Sequence, residues 1–174
     1  MRIALSAALF AACLLSACGN DPSPGEASTS ASEAAARVLS TVTGGVLTDP
    51  ASGANCNGQD VAITRDGFSL VLEGDCGTIV VTGSNGAVNV DRARAIRVDG
   101  REVTVLNMEV ADVDVAGSNN ILNLTEVGAL RIAGDDNMVL ARQIERVAIS
   151  GRSNTVNPDN TPELDDTGSG NRVL

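Results

Sequence analysis

The chain has 174 residues, a formal net charge of −10 and no histidine. Its 22 acidic residues outnumber its 12 basic residues, all of which are arginine, so we expect no nucleic acid or anionic membrane surface as a partner. Phe10 and Phe68 are the only aromatic residues, which favours a thin aliphatic core and argues against stacking on ligand rings.

The first residues have the pattern of an export signal. Arg2 precedes an apolar run from Ile3 to Leu15 that is too short to span a bilayer. The run ends in Leu15-Ser16-Ala17-Cys18, which resembles the lipobox of bacterial lipoproteins. This resemblance implies that residues 1–17 are a signal peptide and that Cys18 is lipidated, with palmitate, and becomes the mature N-terminus. Ordinary secretion with cleavage nearby is the alternative.

The resemblance also implies a location in the cell envelope. Gly19 follows the cysteine, and in a bacterium with two membranes this favours an anchor in the outer membrane that faces the periplasm. Residues 18–29 are rich in Ser, Pro, Gly, Ala and acid, so they are predicted to form a flexible tether.

A helix is predicted over residues 30–44. Ser30 and Glu33 form a capping box, and Gly44-Gly45 ends the pattern. Between them, apolar residues recur at helical spacing: Ala31, Ala34, Ala35, Val38, Leu39 and Val42. We expect this amphipathic helix to cover the N-terminal end or one flank of the domain that follows, although it could also bind a partner.

Two cysteines remain in the exported chain. Cys13 leaves with the signal and Cys18 is lipidated, and export favours a disulfide between Cys56 and Cys76. Such a bond would contribute about 3 kcal/mol by closing its loop. Because the chain offers no histidine and no further thiol, no metal site is predicted, and no cofactor motif is recognised.

The centre of the chain is a repeat with a period of 17 residues. Glycine recurs at this spacing as Gly83, Gly100, Gly117, Gly134, Gly151 and Gly168. Apolar residues recur with the same period at four positions: four residues before each glycine (Ile79 to Leu164), two before (Val81 to Ile149), five after (Val88 to Val173) and ten after (Ala93 to Ile144). One coil cannot bury these side chains alone, so stacked coils are expected. The pattern predicts an all-β fold, a short single-stranded parallel β-solenoid of five or six coils over residues 55–174, preceded by the one N-terminal helix.

The corners of the coils have their own pattern. The glycine column is interpreted as a set of corners that need positive φ. Three residues later stand Asn120, Asn137, Asn154 and Asn171, whose amides are expected to bond from coil to coil. A ligand-binding row of asparagines is the alternative.

These units resemble a bacterial family of secreted proteins and lipoproteins known only as a domain of unknown function. The resemblance covers about residues 55–174 and rests on Cys76 to Asn85, Gly117-Ser118-Asn119-Asn120 and Gly168-Ser169-Gly170-Asn171. It implies a short parallel β-solenoid with paired cysteines near its start and no assigned catalytic residues. The Gly100 coil departs from the pattern, because Arg101-Glu102-Val103 stands in place of Ser-Asn-Asn.

The outward positions and the C-terminus complete the predicted domain. Arg97, Asp114 and Arg131 share one repeat position, and Arg92, Glu109 and Glu126 share another, which predicts ion pairs between coils. Pro158 and Pro162 interrupt the pattern within the acidic stretch 159–166, which predicts a frayed C-terminal cap.

A non-enzymatic lipoprotein with a structural or binding role is the preferred function. Leu106, Ile121, Met138 and Leu140 are predicted to lie outward, as a patch for an envelope protein or a glycan. The other interpretation is that the N-terminal helix covers this patch.

Two other functional classes are considered. A carbohydrate-active β-helix enzyme could use Asp112 with Asp114, or Glu109 with Glu126, as acid and base, but it would lack the usual stacking aromatics. Calcium could bind at Asp135-Asp136-Asn137 or within 159–166, although neither stretch matches a known calcium loop. Ice binding is discounted because the outward columns are irregular.

Overall fold

The computed structural model describes residues 45–174. The predicted signal peptide, Cys18, the tether and the helix over 30–44 therefore lie outside the described residues. The described part of the chain contains strands and no helix.

The strands form one parallel sheet that winds around itself. Their bounds are β1 Val46–Thr48, β2 Ala54–Asn55, β3 Asp60–Ile63, β4 Ser69–Val81, β5 Gly86–Val98, β6 Val103–Val115, β7 Ile121–Ile132, β8 Met138–Ile149, β9 Thr155–Pro158, β10 Glu163–Asp166 and β11 Arg172–Val173. The pairing runs β1-β3-β4-β5-β6-β7-β8-β9-β11, while β2 pairs with β4 and β10 with β8. The predicted parallel β-solenoid is confirmed. It is longer than five or six coils, since β1 lies before the predicted start at Asn55 and extends the stack.

The pairing register reproduces the 17-residue period. Ile96 pairs with Val113, Val113 with Leu130, and Leu130 with Val147. The first coil is one residue longer, because Val61 pairs with Ile79. The extra residue is absorbed at an irregularity between Leu72 and Asp75, where Gly74 has a φ of 75°.

Alternation along the strands decides what is buried. Most β-branched and other aliphatic residues of the strands pack inward, and most of the residues that alternate with them are charged, polar or small, which is the pattern that β structure favours. Val98, Val115, Ile132 and Ile149 stack with at most 1% of their surface exposed. Burying each contributes about 1.5 to 3 kcal/mol. The adjacent inward column, which runs from Ile79 to Val147, fails at Leu164, which pairs with Val147 but is 48% exposed. The inward prediction for this residue is wrong because no further coil lies over β10.

The glycine column has a different cause from the one predicted. None of the six column glycines has positive φ; the left-handed residue lies two positions later, at Asn85, Glu102, Asn119, Asp136, Ser153 and Gly170. Glycine is required instead by close approach. A Cβ at Gly134 would overlap the carbonyl oxygen of Gly117, and a Cβ at Gly151 would overlap that of Gly134. The coils therefore touch backbone to backbone at this corner.

The corner asparagines form a ladder of hydrogen bonds through the stack. Asn137 Oδ1 accepts from the backbone N–H of Asn120 at 3.0 Å, and Asn137 Nδ2 donates to Gly117 O at 3.0 Å and to Asn154 Oδ1 at 3.1 Å. Asn154 repeats this arrangement one coil further along, where its Nδ2 donates to Asn171 Oδ1 at 3.2 Å. Asn120, Asn137 and Asn154 are buried. These amides form hydrogen bonds within the stack and are not accessible to a ligand.

The ladder ends in the coil that departs from the repeat. Val103 takes the position of the asparagine, and its N–H donates to Asn120 Oδ1 at 2.9 Å. Glu102 holds the left-handed corner with a φ of 56°. The corner of the Gly100 coil is thus satisfied by the following coil, although its own sequence lacks the amide.

One polar side chain in the core does not use all of its hydrogen-bonding atoms. Asn107 is buried at an inward position, between Val90 and Leu124 in the adjacent coils. Its Nδ2 donates to Val90 O at 3.3 Å and to Asp91 O at 3.4 Å. Its Oδ1 has no hydrogen-bond partner among the residues that the structure describes. This atom carries a desolvation cost.

The N-terminal end of the stack is fastened by a disulfide and a carboxylate. Cys56 and Cys76 form the predicted disulfide. Asp49 accepts hydrogen bonds from Thr64 Oγ1 at 2.6 Å, Thr64 N at 2.7 Å and Arg65 N at 3.3 Å. The bond from the Thr64 hydroxyl, followed by that from its backbone N–H, lowers the pKa of Asp49.

Candidate functional site

One side of the stack carries no charge. The outward side chains of the first part of each long strand, together with the short strand β9, form what we call the uncharged face: Ser69, Val71, Ala87, Asn89, Thr104, Leu106, Met108, Ile121, Asn123, Thr125, Met138, Leu140, Thr155 and Asn157. Charged residues stand only at its margin: Glu73, Asp91, Arg142, Asp159 and Arg172. In a chain of net charge −10, such a surface is unusual.

The predicted patch lies at the centre of this face. Leu106, Ile121, Met138 and Leu140 are 37% to 44% exposed. Ile121 pairs with Met138 in the adjacent strand, so their side chains are neighbours. Met108, which is not among the predicted patch residues, extends the patch and is 64% exposed. Its position two residues after Leu106, on the same strand, was the available signal.

Apolar and amide side chains alternate along the middle of the uncharged face. Strand pairing places Asn89 beside Leu106, Leu106 beside Asn123, and Asn123 beside Leu140. Val71 and Asn157 continue the series at its two ends. Neighbouring strands are about 4.8 Å apart, so each residue type recurs about every 9.6 Å.

A second side of the stack holds an open groove of about 440 Å³. Its floor includes the small residues Ala111 and Gly128, and Glu109, Glu126 and Glu145 line it. Glu109 and Glu126 occupy the same position in adjacent strands. The groove therefore brings together the carboxylates of one predicted acid and base pair.

Two of the arginines that line this groove pair with residues of earlier coils. Arg92 Nε donates to Asp75 Oδ1 at 2.6 Å, so its partner is not the predicted Glu109. This hydrogen bond and the charge of Arg92 lower the pKa of Asp75. Arg94 Nη2 donates to Thr78 Oγ1 at 3.0 Å and to Asp60 Oδ1 at 3.1 Å. Both arginines thus tie successive coils together.

The other proposed acid pair is held in ion pairs. Arg131 Nη1 lies 3.2 Å from Asp112 Oδ1 and 3.8 Å from Asp114 Oδ1. The predicted contact between Asp114 and Arg131 is therefore present. Arg97 in the same column donates instead to both carboxylate oxygens of Asp99, at 2.9 and 3.0 Å. Asp99 directly follows the end of β5 and lies only two residues from Arg97 in the sequence.

The proposed calcium ligands do not converge. Asp135 accepts hydrogen bonds from Arg152 N at 2.8 Å and from Arg152 Nη2 at 3.1 Å, and the side-chain bond is the first cause of its lowered pKa. Asn137 is turned into the buried ladder. Within residues 45–174, no group of three or more acidic, cysteine or histidine side chains is arranged to hold a metal.

The predicted lipidation site cannot be placed, since Cys18 lies outside the described residues. Over the described range, no helix is long and apolar enough to cross a membrane.

Comparison with known proteins gives a family but no activity. The family model described as "Protein of unknown function (DUF3060)" matches residues 66–112 and 115–170, together more than half of the chain. No curated protein matches significantly, and neither does any solved structure. The matched residues cover β4 to β10 and thus the repeat that builds the stack. The chain therefore belongs to the DUF3060 family of proteins of unknown function.

Proposed function

We propose that this protein is an exported lipoprotein, anchored in the cell envelope through Cys18, whose solenoid is a non-enzymatic structural or binding module. The observation that carries the export step is the Cys56–Cys76 disulfide. Structural disulfides persist in oxidising compartments and are rare in the cytosol.

The N-terminal sequence supplies the anchor in this proposal. The apolar run before Leu15-Ser16-Ala17-Cys18 has the length of an export signal. Residues 18–29 have the composition of a flexible tether, with a reach of about 20 Å. Such a tether would hold the folded stack away from the lipid headgroups.

The uncharged face supports a binding role. It is contiguous across neighbouring strands of one sheet, and it combines exposed Leu, Ile and Met with amide side chains. Contiguous apolar patches with a polar margin are typical of protein interaction sites. An envelope protein or an uncharged glycan would match a surface of this composition.

Replacement of Cys18 tests the anchor. We expect Cys18→Ser to move the protein from the membrane to the soluble fraction of a lipoprotein-exporting bacterium, and to abolish incorporation of a palmitate analogue. Cys13→Ser is the matched control, because Cys13 lies inside the signal and should not affect either readout. Unchanged membrane fractionation of Cys18→Ser would contradict the proposal.

A carbohydrate-active enzyme is the second candidate, and the groove favours it. Glu109 and Glu126 lie side by side over a floor of small residues, and retaining glycosidases use two carboxyl groups about 5 Å apart. A hydrolysis screen on neutral polysaccharides tests this candidate. Activity that is lost in both Glu109→Gln and Glu126→Gln would support it, and absence of turnover in the unmodified protein would count against it.

A further inference from the structure

The uncharged face has the composition of an interface core. Its centre contains Leu106, Met108, Ile121, Met138 and Leu140, all more than a third exposed. Interface cores are depleted of charge and enriched in Met relative to other surfaces, and their margins are polar. The face is formed by neighbouring strands of one sheet, whereas sites for small molecules are concave clefts. A partner with an extended surface is therefore indicated.

The size of the face limits the partner. Six strands, β4 to β9, stack at about 4.8 Å, and the outward positions span four residues of about 3.3 Å each. With side chains included, the face measures roughly 500 Å². Two such faces would bury about 1,000 Å², which is the lower limit for a specific protein interface.

We propose that the uncharged face binds the same face of a second copy, with the two stacks side by side and parallel. A two-fold axis along the stacks gives both copies the same spacing of about 4.8 Å, so their coils stay in register along the whole contact. Leu106 then faces the partner's Leu106, and Leu140 faces the partner's Leu140. Between them Asn123 faces the partner's Asn123, which pairs amide with amide.

Charge selects the parallel arrangement. It places the marginal residues Asp91 and Arg142 opposite the uncharged Ala87 and Met138 of the partner subunit. An antiparallel arrangement centred on Asn123 would bring Asp91 opposite the partner's Asp159. Like charges that face each other across an interface cost several kcal/mol.

The position of the N-terminus agrees with this direction, a step that rests on the proposed lipid anchor. The chain enters the stack at β1, at one end of the pairing path. In a parallel pair both tethers leave from the same end, as two anchors in one membrane require. Confinement to a membrane raises the effective concentration of the copies, so a small interface is sufficient.

Single-cysteine crosslinking of the full chain in cells that export it tests the proposal. We expect Leu106→Cys, Asn123→Cys and Leu140→Cys each to give a disulfide-linked dimer after mild oxidation, seen on a non-reducing gel. Ala116→Cys, which is exposed on another side of the stack, and the unmodified chain are the controls and should give none. The natural cysteines Cys56 and Cys76 are already paired.

The pattern of positions decides the outcome. A dimer only at Asn123→Cys indicates the antiparallel arrangement and overturns the proposal. An adduct with a different protein, or no adduct at any of the three positions, overturns it too; the latter result is expected if residues 30–44 of the same chain cover the face. Membrane fractionation of the same samples separates this failure from failure of the lipid anchor.

A charge variant provides an independent check on folded protein. Adding Leu106→Glu to Leu140→Cys places Glu opposite the partner's Glu at the interface, and should reduce the dimer band at least about tenfold. Ala116→Glu in the same background should leave the band unchanged. An undiminished band in the first variant would contradict the proposed contact.

Discussion

Replacement of Asn137 by alanine should destabilise the solenoid far more than replacement of an outward asparagine. Asn137 is buried. Its Oδ1 accepts from Asn120 N at 3.0 Å and its Nδ2 donates to Gly117 O at 3.0 Å. In Asn137→Ala both backbone groups remain buried and lose their partners.

The magnitude follows from these two groups. An unsatisfied buried donor or acceptor costs about 1 to 3 kcal/mol, so Asn137→Ala should cost about 4 kcal/mol. Asn157→Ala is the matched control, because Asn157 is exposed on β9; it should change stability by less than about 0.5 kcal/mol.

Urea denaturation followed by far-ultraviolet circular dichroism measures both variants, since the chain has no Trp or Tyr to serve as a fluorescent probe. The slope m should stay constant, so that the shift of the midpoint reports the free energy of unfolding. If Asn137→Ala lost no more stability than Asn157→Ala, the ladder would not be structural.

Three further changes probe other parts of the stack. Gly134→Ala should cost about 3 kcal/mol or more because its Cβ would overlap the Gly117 carbonyl; a midpoint equal to that of the parent would refute the close-approach explanation. Asn107→Leu should raise the urea midpoint by removing a buried oxygen without a partner, and a lower midpoint would show that its amide bonds outweigh this cost. Asp49 has a lowered folded-state pKa, so its contribution is present above the unfolded value of about 3.9 and is lost as the pH falls through the folded value. Thermal unfolding should therefore show a steeper loss of stability below about pH 4 in the parent than in Asp49→Asn, and parallel pH curves would argue against this contribution.

The fold was predictable because the side chains recur with the period of the coils. Stacked coils require the same residue type every 17 positions, and both the inward column from Val98 to Ile149 and the glycine column show it. The disulfide was predictable for a simpler reason: with Cys13 assigned to the predicted signal and Cys18 to the predicted lipid anchor, Cys56 and Cys76 were left to pair. The role of the ladder asparagines followed from the need of a buried corner for hydrogen bonds.

Other features could not be read from the repeat alone. Glycine serves both positive φ and close approach, and only the path of the backbone shows that Gly134 is needed for the second reason. Leu164 keeps its repeat position but lacks a coil above it, and a column does not reveal where a stack ends. Ion pairs depend on the reach of long side chains, and Arg92 binds the earlier coil at Asp75 and not Glu109 in the later one.

The candidate site was predictable in part. Outward positions follow from alternation, and the four predicted patch residues are exposed. Met108 was not predicted because its column, which also contains Asp91, Thr125 and Arg142, is not uniformly apolar. What binds the uncharged face depends on the shape and area of that face, which the amino-acid sequence does not give directly.

Distances along one outward column test the stacked register most directly. Thr82, Asp99, Ala116, Ala133, Ser150 and Thr167 are exposed, and each donates its N–H to the preceding coil, to Ile63, Val81, Val98, Val115, Ile132 and Ile149 respectively. Spin labels on cysteine pairs that join position 82 to positions 133, 150 and 167 should give distances of about 14, 19 and 24 Å, rising by about 4.8 Å for every 17 residues. Distances that fail to rise evenly along this column would contradict the solenoid and every surface assigned from it.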